Sequence, residues 1–146
     1  MPNIFDVAKY ILSKTGETTT MKLHKLCYYA QAWSLAWDGI PLFDEDFQAW
    51  ANGPVCPELF ARHIGKFVVD SSLFSDIDDY DFNDVQIETL NAVLDYYGDK
   101  EPHWLSELTH KEDPWKNARK NTPLGSTSTN VIEKEAMQGY YEGINH

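Results

Sequence analysis

Apolar residues recur at three- and four-residue intervals along most of this chain, a spacing that predicts a series of amphipathic helices. Asn3 is a candidate N-cap for the first helix, and Gly16 suits its C-terminal end. The threonines at 18–20 offer an N-cap for a second helix, which the turn at Asp38-Gly39 ends.

The second helix has one apolar stripe and a more polar face. Its stripe contains Leu23, Leu26, Cys27, Ala30, Trp33, Ser34 and Trp37 at helical spacing. Lys22, Lys25 and Tyr29 fall on a different face. This arrangement predicts a helix that buries one side and leaves these three residues outside the stripe.

The middle of the chain predicts a short β element. Apolar and polar residues alternate over 44–50, as in a half-buried strand, and 67–69 is a candidate partner strand. A short helix is expected over 57–64 with Pro57 in its first turn. Residues 71–83 are acidic and lack helical periodicity, which predicts a loop.

The C-terminal half predicts further helices from its caps and first-turn prolines. These signals are Asn83 with Gln86, Pro102, Asp113 with Pro114, and Asn130 with Glu133. The expected fold is mainly α: one irregular helical bundle of about six or seven helices with one small β element near residues 44–50. We expect a single domain over 1–146.

Charge is unevenly distributed along the chain. The formal net charge is -11, and residues 70–101 hold ten acids but only one base, Lys100. Direct binding of nucleic acid is not expected, because phosphate contacts need clustered lysine and arginine. The acidic run can steer a basic partner. It also leaves open an alternative function, in which the protein mimics nucleic acid and inhibits a basic DNA-binding enzyme.

Neither export nor membrane insertion is indicated. The N-terminus lacks the basic and apolar regions of a signal peptide, and no apolar run approaches the roughly 20 residues of a membrane span. Two cysteines do not form a disulfide framework. We expect a cytoplasmic protein with reduced thiols and no membrane association.

Metal and cofactor sites are not expected. His24 and Cys27, with Cys56 and His63, could suggest zinc, but structural zinc needs four closely paired ligands. Because Cys27 belongs to the apolar stripe, a buried thiol is the favoured interpretation.

Catalytic residues are not predicted either, since the common hydrolase, metalloprotease and nucleotide-binding motifs are absent. His110 and Glu112 could imitate an acid–base pair, and a small hydrolase therefore stays open as a further alternative. We expect a protein that is not an enzyme.

A stiff turn follows the predicted strand. Gly53, Pro54 and Pro57 favour a structural corner, because proline restricts φ and glycine permits positive φ. We expect the turn to present Trp50 and Asn52, since a pre-ordered loop loses little entropy on docking.

Trp115 and Arg119 lie four positions apart and so share a helix face. Tryptophan and arginine are also enriched at interface hot spots. The expected partner-binding residues are Lys22, Lys25, Tyr29, Trp50, Asn52, Trp115 and Arg119, with the two lysines as rim charges.

Three blocks of sequence resemble one known family, the SocA-like or Panacea antitoxin domain, also described as a GepA-type phage-associated protein. The blocks are Met21-Lys22-Leu23-x-Lys25-Leu26-x-Tyr28-Tyr29-Ala30-Gln31-x-Trp33, Pro41-Leu42-Phe43-Asp44-Glu45-x-x-x-Ala49-Trp50-x-x-Gly53-Pro54-Val55-x-Pro57, and Leu105-Ser106-x-Leu108-Thr109-His110-x-Glu112-x-Pro114-Trp115-x-x-Ala118-Arg119. The resemblance implies a mainly helical antitoxin that neutralises a protein toxin encoded beside it, often in a prophage. It also implies, for at least one member, an adaptor that delivers its toxin to a cellular protease.

Overall fold

The computed structural model describes residues 1–144. Its elements in chain order are α1 (Ile4–Thr15), β1 (Thr18–Thr19), α2 (Thr20–Trp33) continued by a π-helical turn (Ser34–Asp38), β2 (Phe47–Trp50), β3 (Gly53–Val55), α3 (Pro57–His63), β4 (Val68–Val69), a 3-10 turn (Ser71–Phe74), α4 (Asp84–Tyr97), α5 (Pro102–Lys111), α6 (Asp113–Ala118), β5 (Val131–Ile132) and α7 (Lys134–Ile144). The mainly α fold class is confirmed.

Helix α2 is the centre of the fold. It packs against α1, α4, α5 and α7, and every residue from Leu23 to Trp33 is buried. The helix therefore buries more than the one apolar stripe. The expectation that Lys25 and Tyr29 lie outside the core is wrong, since both are buried. A helix enclosed on several sides must bury polar residues too, and these find partners. Gln31, for example, donates to the Phe43 carbonyl at 2.7 Å.

The predicted helix starts are confirmed where they depend on neighbouring residues. Asn3 and Asp6 form a reciprocal capping box at α1, and Asn83 with Gln86 does the same at α4. Thr19 caps α2 through the amide of Lys22. Each of these bonds spans three residues, so the local sequence suffices to specify it.

The β structure consists of two small sheets rather than one element. Strand β2 lies between β3 and β5, and its alternation of buried and half-buried residues is as predicted. Strand β4 pairs with β1, through Thr19 and Val68, and not with 44–50. The expected pairing is wrong because β3 follows β2 after a two-residue turn and takes one edge, while β5 takes the other.

Two caps near the C-terminus differ from the prediction. Glu112, rather than Asp113, is the N-cap residue of α6. Asn130 donates its side-chain amide to the Ala118 carbonyl instead of capping α7. Helix α7 begins at Lys134 and turns Met137 and Tyr141 inward. Within residues 1–144, the helices are too short or too polar to cross a bilayer.

Candidate functional site

A groove of about 310 Å³ opens beside the first turns of α2. The β2–β3 turn and α3 form its other walls. Its lining residues are Thr20, Met21, His24, Lys25, Trp50, Ala51, Asn52, Val55, Phe60, His63, Phe67 and Thr127. Aromatic and aliphatic side chains dominate this surface, and a few polar groups converge on it, as is typical of a binding site.

The β2–β3 turn is fixed by its glycine backbone and by a hydrogen bond from α5. Gly53 has φ +122°, a conformation that side chains other than hydrogen rarely allow. Ser106 on α5 donates its hydroxyl to the Asn52 carbonyl at 2.7 Å. The side chain of Asn52 is exposed, and that of Trp50 is half-buried. The turn therefore presents both residues at the groove, as the sequence predicts.

Trp115 and Arg119 support the strand that precedes the turn. The indole of Trp115 donates to the Trp50 carbonyl at 2.8 Å, and Arg119 donates to the Ala49 carbonyl at 2.9 Å. Trp115 also stacks on His110 with the ring centroids 4.1 Å apart. Both residues are almost fully buried, so the structure places them behind the groove instead of on an exposed face. Their side chains position Trp50 and offer little free surface of their own.

Lys25 is a buried amine in the wall of the groove. Its side chain is 1% exposed, and its Nζ lies 3.5 Å from the Pro54 carbonyl. Among residues 1–144 no carboxylate lies within 4.0 Å of it. Burial lowers the pKa of Lys25 to about 7, because the charged form loses its hydration. Lys25 is therefore not the rim charge that the sequence suggested, whereas Lys22 stays partly exposed.

A histidine pair lies next to this lysine. His24 Nε2 and His63 Nε2 are 2.7 Å apart, and the Cys56 amide donates to His24 Nδ1 at 3.2 Å. Because Nδ1 accepts, a neutral His24 carries its proton on Nε2 and donates to His63. Burial lowers the pKa of both imidazoles, and the nearby Lys25 lowers that of His24 further. The pair is therefore stable when neutral.

Phe67 gives the groove an exposed aromatic wall, with 74% of its surface exposed. Ile64 and Val68 are also exposed nearby in sequence, but Val68 lines a different pocket. An exposed large apolar side chain that lines a groove is a candidate for an interaction surface. The sequence analysis missed these residues because it assigned 67–69 to a candidate partner strand and Ile64 to the end of a short helix. Their signal was that run itself, directly after Ile64-Gly65-Lys66.

The remaining sequence candidates are not assembled into a catalytic or metal site in the described chain. His110 stacks on Trp115, whereas Glu112 accepts hydrogen bonds from Tyr29 and Tyr141, so no hydrogen bond joins His110 to Glu112 within residues 1–144. No cluster of three metal-ligating side chains occurs in the same range. Cys27 and Cys56 are buried free thiols, as expected.

Comparison with known protein families shows which family this chain belongs to. The sequence model of one family, described as Antitoxin SocA-like, Panacea domain, matches residues 23–116. This protein belongs to that family. The matched residues of the Panacea domain run from α2 to α6, so they include the β2–β3 turn, α3 and most of the groove. No curated protein and no solved structure matches the chain.

Proposed function

We propose that this Panacea protein is an antitoxin that neutralises a cognate protein toxin by binding it directly at the groove. The observation that carries the proposal is the exposed apolar side chain of Phe67, which lines a largely apolar groove within the family-matched part of the chain. The proposed action is binding alone, without a covalent step.

The groove has the features expected of a protein-binding surface. Phe67 and the half-buried Trp50 and Phe60 offer aromatic anchors, and such residues supply most of the energy at protein interfaces. The stiff Gly53-Pro54 turn holds Asn52 in place before docking, so little conformational entropy is lost. A standard interface of about 800 Å² per partner is larger than the groove, which would therefore form its centre.

Lys25 gives the groove a chemical preference. An ammonium group without a carboxylate partner can donate to an acidic side chain or a backbone carbonyl that the toxin inserts. Docking of an acidic group would raise the pKa of Lys25 again and drive uptake of a proton. We therefore propose that the inserted toxin element carries hydrogen-bond acceptors.

Co-expression with the neighbouring reading frame tests the proposal. That frame should be toxic alone and harmless together with this protein. Phe67→Ser should abolish protection without unfolding the protein, because the side chain is already exposed. Val85→Ser is the matched control, since Val85 is an exposed residue on α4 that does not line the groove. Loss of protection by both variants, or by neither, would reject the groove as the toxin site.

The toxin half-life in the co-expressing cells shows whether the bound toxin is degraded or only blocked. The adaptor route, in which a cellular protease degrades the delivered toxin, predicts a shorter toxin half-life when this protein is present. Simple blockade predicts an unchanged half-life. Because both cysteines are buried free thiols, as in proteins of reducing compartments, we propose that the interaction occurs in the cytoplasm.

A further inference from the structure

A second pocket lies at the other end of α2, about 13 Å along the helix from the groove. Its volume is about 420 Å³. Trp33 and Trp37 form one side and Tyr96 and Tyr97 of α4 form another, while Glu112 also reaches the pocket. The lining combines four aromatic rings with one carboxylate, and none of these residues lines the toxin groove.

Glu112 is buried with half of its carboxylate unpaired. Its side chain is 6% exposed, and its Oε1 accepts hydrogen bonds from the hydroxyls of Tyr29 and Tyr141, each at 2.7 Å. Within residues 1–144 no hydrogen bond reaches Oε2, and no lysine, arginine or histidine lies within 4.0 Å. Oε2 is not among the fully buried atoms that lack a partner, so it stays accessible from the pocket. Burial raises the pKa of the Glu112 carboxyl, and a positive group that arrives at Oε2 would favour its charged form.

The aromatic rings suit a cation as well. Trp33 and Trp37 are stacked with their ring centroids 4.9 Å apart, and Trp37 is 42% exposed at the pocket mouth. The faces of tryptophan and tyrosine attract ammonium and guanidinium groups. Tyr96 already shows this behaviour, because Lys100 lies 5.6 Å from its ring centroid; Lys100 also contacts Trp104 and does not line the pocket.

The surrounding charge favours the same class of ligand. Helix α4, which supplies one wall through Ala92 and Tyr96, carries the exposed Glu88 one helical turn before Ala92. A carboxylate on this side of the helix raises the local concentration of cations and helps to steer a basic group toward the pocket. The amino acids of a protein that carry such cations are lysine and arginine.

We propose that the pocket of Trp33, Trp37, Tyr96, Tyr97 and Glu112 receives a lysine or arginine side chain from a partner protein. The cation pairs with Glu112 Oε2, and its methylene chain packs against the rings. This site is distinct from the groove, and its test does not involve the toxin. Failure of one proposal therefore leaves the other intact.

Indole N–H signals in NMR spectra of the full-length protein provide the readout. The probes are Nα-acetyl-lysine N-methylamide and its norleucine analogue, which has the same chain length but no charge. The lysine probe should shift the indole signals of Trp33 and Trp37 with saturation in the millimolar range, and the norleucine probe should bind at least about tenfold more weakly. Equal binding of the two probes, or no saturable shift with lysine, would overturn the proposal.

Variants then assign the charge. Glu112→Gln keeps a carbonyl oxygen for the two tyrosine hydroxyls but removes the negative charge, and it should weaken the lysine probe about tenfold. Trp37→Leu alters only a half-exposed ring, so it serves if Glu112→Gln does not fold. Trp104→Leu is the control, because Trp104 is exposed to a similar extent outside the pocket. Unchanged affinity in both pocket variants would refute the site.

Discussion

The side chain of Lys25 occupies the space that a side chain on Gly53 would need. A Cβ built on Gly53 would lie 2.5 Å from Lys25 Cε and 2.9 Å from its Nζ. The stiff turn and the buried amine, which are 28 residues apart in sequence, therefore form one packed unit. Because Lys25 fills the space beside Gly53, the rigid turn and the buried amine lie together in the wall of the groove.

Gly53→Ala should destabilise the protein by about 1–3 kcal/mol, since alanine is strained at φ +122°. The contact with Lys25 should add to this cost. In a Lys25→Ala background the penalty should become smaller without vanishing, because the backbone strain remains. Urea unfolding of the wild type, Gly53→Ala, Lys25→Ala and the double variant gives the coupling free energy between the two positions in a double-mutant cycle. Strict additivity would show that the two side chains do not compete for space.

Lys25 should make stability increase with pH. The unfolded chain keeps the lysine proton up to its ordinary pKa of 10.5, whereas the folded protein releases it near a pKa of about 7. Between these values the unfolded state binds more protons, so the free energy of unfolding rises with pH, by on the order of 4 kcal/mol. Below about pH 7 the full penalty of the buried charge remains. Urea unfolding at pH 7 and pH 9 should show roughly half of this rise, because that window covers about two of the roughly 3.5 pH units between the two pKa values.

Lys25→Met should remove that pH dependence and stabilise the protein at pH 7 by about 1–4 kcal/mol, because a buried charge is replaced by an apolar chain. It should also weaken neutralisation of the toxin, because the groove loses the hydrogen-bond donor that Lys25 supplies. Lys22→Met, at a partly exposed position, is the control and should change neither property strongly. A stabilised Lys25→Met protein with full protective activity would show that the amine has no role in binding.

The His24–His63 pair should destabilise the protein on acidification. Burial lowers both pKa values, so below pH 6.5 the unfolded histidines take up protons before the folded ones do. Stability is therefore lost as the pH falls through that window. His63→Phe should reduce the difference between the urea midpoints at pH 5 and pH 7. His103→Gln is the control and should change it much less, because the exposed pair of His103 with Glu107 contributes little.

Trp115 should act through folding rather than through contact with the toxin. Trp115→Ala is expected to cost about 3–5 kcal/mol, as for a large buried aromatic. Trp115→Phe removes the hydrogen bond to the Trp50 carbonyl, costs about 1 kcal/mol and should retain protection. Urea unfolding and the co-expression assay test both variants. A Trp115→Ala protein with unchanged stability but no protection would instead support direct contact.

The acidic run should not be needed for neutralisation. Asp76 and Asp79 pair with Arg62 and Lys9, and such exposed salt bridges contribute about 0–1 kcal/mol each. Replacing the four aspartates together should therefore slow association at low salt and leave protection intact. The substituted positions are Asp76→Asn, Asp78→Asn, Asp79→Asn and Asp81→Asn. Abolished protection would favour the alternative of an acidic nucleic-acid mimic.

Prediction from sequence succeeded for contacts between neighbouring residues. The capping box of Asn83 with Gln86 and the corner at Gly53-Pro54 each depend on a few adjacent positions. It failed for Lys25 and Tyr29, because their burial depends on residues far along the chain. Tyr29, for instance, donates to Glu112, which is 83 residues away. A period of 3.6 residues shows which positions share a face but not what covers that face.

The sequence by itself determined the capped starts of α1, α2 and α4, the alternation within β2, the stiff turn and the membership of the Panacea family. The tertiary structure alone decided that α2 is enclosed on several sides, that β4 pairs with β1, and that Ile64 and Phe67 are exposed. The physical reason is the range of the interactions. Caps and turns are satisfied by hydrogen bonds within a few residues, whereas burial and sheet pairing depend on which segments distant in sequence pack together.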